Sequence, residues 1–69
     1  MAWENINIVV GDTTYSGQKH MHGYDVEFKI PAASNLVQGD YFSPEGMDTY
    51  TVDECESSDN NMLHINAIT

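Results

Sequence analysis

At 69 residues the chain can form one domain around one small core, since a fold of this size buries only about 60% of the surface its unfolded chain exposes. Eleven acidic residues stand against Lys19 and Lys29, with no arginine, for a formal net charge of −9; this argues against direct DNA or RNA contact, which needs Lys and Arg at the phosphates, and against anionic membranes. A hydrophobic content of 41%, with one Trp, four Tyr and two Phe, argues against simple disorder, because burying such groups offsets much of the ordering entropy.

Taken from the N-terminus, residues 1–5 (Met-Ala-Trp-Glu-Asn) show neither the basic start nor the apolar run of a signal peptide. No later stretch approaches the roughly 20 apolar residues of a membrane span. The expected location is the cytoplasm, and the lone Cys55 fits it as a free thiol, since one cysteine makes no internal bridge. Ile6, Ile8 and Val10 repeat a period of two over residues 5–10 and predict a strand. Gly11-Asp12 is turn chemistry that returns the chain into residues 13–16, giving a first hairpin. The polar run between Gly17 and Gly23 reads equally as a loop or as a continuation of the second strand.

The clearest signal is at residues 24–30, where Tyr24, Val26, Phe28 and Ile30 alternate with Asp25, Glu27 and Lys29 at the period of a half-buried strand. Pro31 and Gly39 bracket a short predicted helix over residues 32–38, with Leu36 and Val37 anchoring it on the sheet. Residues 40–43 form a short strand before the turn-like Pro44-Glu45-Gly46, and residues 49–53 another, with Tyr50 and Val52 inward. Residues 54–61 read as a charged, Ser/Asn-rich connection, and residues 62–68 as a last strand with Leu63, Ile65 and Ala67 on one face.

The predicted fold is mainly β, of the α+β kind: a small twisted antiparallel sheet or partial barrel of four or five strands with one short helix. Its expected core is Trp3, Ile6, Ile8, Val10, Tyr24, Val26, Phe28, Ile30, Leu36, Tyr50, Val52, Leu63 and Ile65. Open sheet edges would allow a homodimer.

Catalytic signatures are missing from the sequence. There is no Gly-x-Ser-x-Gly elbow and no local context of a catalytic cysteine, and the glycines at 11, 17, 23, 39 and 46 trace no phosphate-binding loop. The expectation is a protein that is not an enzyme and needs no cofactor. His20-x-His22 could present two imidazoles on one side of a strand, with His64, Cys55 or Asp25 completing a metal set. A structural zinc site normally shows two paired ligand motifs, so no metal is expected. The oxygen-rich residues 53–61 also lack the Gly and Glu positions of an EF-hand loop.

The acidic residues are distributed unusually. From Ile30 to Thr69 there is no basic side chain, while Asp40, Glu45, Asp48, Asp53, Glu54, Glu56 and Asp59 fall on predicted turns and a strand. Ordinary domains mix signs to limit self-repulsion. An ordered one-sign surface implies a basic protein surface as partner, with Tyr41, Phe42 or Tyr50 as apolar anchors. In size, composition and the charge distribution of residues 40–59, the chain resembles phage-encoded inhibitors of host defence, the anti-CRISPR and anti-restriction proteins, some of which imitate DNA in the cationic groove of a nuclease or surveillance complex. The likeness is one of type, carried by no shared motif, so no residue role transfers. It implies an inhibitor of a nucleic-acid-binding protein or complex, acting in the cytoplasm of an infected bacterium. The alternative is a structural or assembly protein, a small phage component or a β-domain pairing through strand edges. A third reading is a metal-dependent binding module built on His20 and His22.

Overall fold

The computed structural model describes residues 3–23 and 25–69, the side chains of His22 and Asp25 excepted, and nearly all of its regular structure is β. Strands β1 (Glu4–Val10), β2 (Thr13–His22), β3 (Asp25–Pro31), β4 (Tyr41–Pro44), β5 (Tyr50–Ser58) and β6 (Met62–Ile68) pair antiparallel in the order β1-β2-β3-β6-β5-β4. Pairing of β4 with β1, at Ile8 with Pro44 and Val9 with Ser43, closes the barrel. The mainly β, antiparallel expectation therefore holds, but six strands in a closed barrel replace the expected four or five with a helix. Strands β1 to β3 and β4 to β6 are two meanders. The spatial order 4-1-2-3 is that of a Greek key.

Two local readings change and one left open is settled, each for an identifiable reason. The predicted helix over residues 32–38 is a single 3-10 turn, Ala32–Ser34, stopped at Asn35 in the left-handed region (φ 56°). Two turns of helix have no stability of their own, and Leu36 leaves the helical path to enter the core while Val37 stays 61% exposed. Residues 54–58, predicted as part of a loop, continue β5, because β6 pairs with them from Glu54–Asn66 to Ser58–Met62. Tertiary pairing outweighs the weak strand preference of Glu and Ser. The 17–23 run, open between loop and strand, belongs to β2 as far as His22, held by β3 from Gln18–Lys29 to His22–Asp25.

The core consists of Ile8, Val26, Phe28, Ile30, Leu36, Phe42, Val52, Ile65 and Ala67, with Ile6, Val10, Tyr50 and Leu63 packed against it. Phe28 meets Phe42 edge to face at 5.0 Å between ring centroids and Tyr50 at 5.4 Å. Two expected core members are not part of this set. Trp3 lies half-buried on the outside of the barrel, and Tyr24 lies outside the described residues. Gly17 is placed by close approach: an added Cβ would stand 2.5 Å from the Lys29 carbonyl oxygen and 2.7 Å from Ile8 Cδ1. No helix among the described residues is long and apolar enough to cross a membrane.

Candidate partner-binding surface

The predicted acidic residues gather along one strand and its two ends. Asp53, Glu54 and Glu56 lie on β5, Asp48 and Glu45 in the connection that leads into it, and Asp59 in the turn that leaves it; all six are exposed. Asp53 is the extra residue of a β-bulge, since Val52 pairs with Ala67 and Glu54 with Asn66, the next residue back along β6. The bulge resets the alternation. Glu54 and Glu56 then share the outer face, about 7 Å apart at the strand repeat, while Cys55 turns to the other side. Asp40 is set apart from these. Its Oδ2 accepts a hydrogen bond from the Val37 N–H at 3.0 Å, so this half-buried carboxylate holds its own loop.

Of the three aromatic anchors, only Tyr41 is openly displayed, at 69% exposure. Phe42 is 2% exposed and belongs to the core, and the half-buried Tyr50 spends its ring on Phe28 and Phe42. Strand alternation accounts for this: neighbours in β4 point to opposite faces, so Tyr41 and Phe42 cannot both be outside.

The short β4 reaches only the start of β5, pairing Phe42 with Tyr50 and Tyr41 with Thr51. The connection before β4 extends this contact by one step, with Gly39 N–H donating to the Val52 carbonyl at 2.9 Å and Val52 N–H to the Asp40 carbonyl at 2.8 Å. It then turns away at Gly39, whose φ of +94° suits a residue without Cβ. Past that point a groove of about 390 Å³ opens between residues 36–38 on one wall and residues 53–56 on the other. The Cys55 thiol donates across it to the Leu36 carbonyl at 3.6 Å, and burial pushes the thiol pKa up from 9.0, keeping it protonated.

A second cluster, not foreseen as a unit, covers the outer face of β2, β3 and β6. Cross-strand rows run His20–Glu27–Asn66–Glu54 and Gln18–Lys29–His64–Glu56. Trp3 lies over them, its ring 5.3 Å from His20, 5.7 Å from His64, and 4.5 Å beneath the Lys29 ammonium. His64 Nε2 and Glu27 Oε1 form a short hydrogen bond of 2.5 Å. The signal for it was the period-2 spacing of Lys29 with Glu27, but pairing of β3 with β6, which brings in His64, is invisible in sequence. One lysine is thereby held against an indole face. The other, Lys19, reaches Met47 Sδ at 4.0 Å.

These positions decide the electrostatics. Lys29 lies two strands from Glu56, about 10 Å at the interstrand spacing and near the screening length of physiological salt. Acids on β5 are therefore left largely uncompensated. Among the described residues no group of three or more His, Cys, Asp or Glu is placed to hold a metal ion. His20 and His64 pack on Trp3, Cys55 faces Leu36, and the side chains of His22 and Asp25 lie outside the described residues. Comparison of the chain with protein families, with curated proteins and with solved structures finds no match.

Proposed function

We propose that the protein is a non-enzymatic inhibitor that binds a basic surface of a nucleic-acid-binding protein or complex, of the anti-CRISPR or anti-restriction type. In this reading Glu45, Asp48, Asp53, Glu54, Glu56 and Asp59 stand where phosphates of a nucleic acid would stand. The observation that carries it is the exposed row of carboxylates along β5 and its flanking turns, on a part of the chain with no Lys or Arg after Lys29. Carboxylates on a strand recur at about 3.3 Å per residue, with same-face neighbours about twice that far apart, the same order as the charge spacing along a nucleic acid. Tyr41, exposed at the β4 end of this row, supplies an apolar contact. The assembly alternative has less support, because barrel closure removes most free edges and like charges along β5 oppose pairing of identical chains.

The test is affinity capture from bacterial lysate with the tagged protein, eluted by a salt gradient and identified by mass spectrometry. A nucleic-acid-binding protein released at moderate salt, and lost when Glu54→Gln, Glu56→Gln and Asp59→Asn are combined, is the expected result. Recovery of only the bait or of particle components, or capture that ignores both salt and these substitutions, overturns the reading.

A further inference from the structure

Barrel closure in this fold is incomplete along one strand. Val52 sends its N–H and carbonyl away from β6, to Asp40 and Gly39, so its partner Ala67 directs its own backbone groups to β3. Alternation along β6 then turns Asn66, His64 and Met62 toward β5, where they meet Glu54, Glu56 and Ser58. The residues between, Cys55 and Ser57, direct their N–H and C=O groups to the opposite side. Among the described residues no strand lies on that side; beside Cys55 it opens onto the groove walled by residues 36–38.

We infer that this open edge of β5 is a docking site for an extended, lysine- or arginine-bearing segment of the partner protein, added as a further strand beside Cys55 and Ser57. Peptide addition to a sheet edge draws affinity from main-chain hydrogen bonds and specificity from side-chain contacts on alternate residues. Here the edge supplies the first, and the exposed Val37 with the rim carboxylates Asp53, Glu54 and Glu56 supplies the second. Charge decides the occupant. A second copy would bring another acidic β5 against this one, with like charges opposed across the new pair, whereas a basic strand would meet complementary charge along its length. The inference deepens the proposed function, since it rests on the same acidic surface and specifies how the partner engages it.

The experiment measures anisotropy of two labelled peptides of equal charge, one alternating Lys and Val, the other alternating Lys and Pro, whose prolines offer no N–H to Cys55 and Ser57 when the lysines lie against Glu54 and Glu56. The Lys-Val peptide is expected to bind at least about tenfold more tightly, as a few net hydrogen bonds would give. Ser57→Pro, which removes an edge N–H without removing a bond to β6, should bring it to the Lys-Pro level. Should that variant not fold by circular dichroism, amide exchange in the unaltered protein replaces it: the Cys55 and Ser57 amides should become protected when the Lys-Val peptide binds. Equal affinity for both peptides with no such protection overturns strand addition and leaves the charge-based function standing. Failure of both peptides to bind overturns it too, and the lysate capture then tests the function by itself. A β5-mediated dimer abolished by Ser57→Pro would make the occupant a second copy and also overturn it.

Discussion

Gly17→Ala adds one methyl group where two strands and a core side chain converge. In the folded protein that methyl would stand 2.5 Å from the Lys29 carbonyl oxygen and 2.7 Å from Ile8 Cδ1, about 1 Å inside the range of ordinary contact. The isoleucine contact can be relieved by a rotamer change costing about 0.5–1.5 kcal/mol. The carbonyl cannot move so readily. It belongs to the backbone of β3, which is paired on one side to β2 and on the other to β6. Overpacking of this kind costs about 1–3 kcal/mol, offset by about 0.4–1 kcal/mol because alanine narrows the unfolded ensemble. The net loss is about 1–2 kcal/mol, which for a domain of this size lowers Tm by about 4–8 °C per kcal/mol. Thermal unfolding followed by circular dichroism measures it. An unchanged or raised Tm would refute the close approach of Gly17 to β3.

Trp3→Ala should cost about 1–2 kcal/mol, from the lost cation–π contact with Lys29 and the ring contacts with His20 and His64; an unchanged urea midpoint would show that Trp3 is not packed there. The Cys55 thiol, half-buried and donating to Leu36, should react with a thiol reagent at least about tenfold more slowly in the native protein than in urea, since the thiolate is the nucleophile. Because burial raises its pKa above 9.0, the folded state holds the proton longer than the unfolded chain. The stabilisation is complete below that value and is lost as pH rises through the folded pKa. The alkaline loss of stability should therefore be smaller in Cys55→Ala, and equal pH profiles for the two proteins would contradict the assignment.

Much of the fold can be read from alternation alone. Residues 24–30 carry it because burying one face of a strand leaves a period of two in the sequence, and Val26, Phe28 and Ile30 are indeed core residues. Gly11-Asp12 foretold the first hairpin, as Gly11 takes φ +62° in the turn. The one-sign charge of residues 30–69 was likewise plain, because charge needs no geometry to be counted.

Other features depend on which strands become neighbours. Residues 54–58 have no intrinsic preference for extended structure, and only the ladder with β6 makes them a strand. Trp3 looked like a core residue by size, but it covers a polar face assembled from β2, β3 and β6, where a cation and two imidazoles offer its ring partners. Phe42 looked like a surface anchor beside Tyr41 until closure of β4 onto β1 decided which of the two faced inward. Composition and periodicity thus determined a small acidic β-domain by itself. Closure of the barrel, the bulge that puts Glu54 and Glu56 on one face, and the open edge of β5 were decided by tertiary pairing, because backbone hydrogen bonds between distant segments leave no periodic mark on either one.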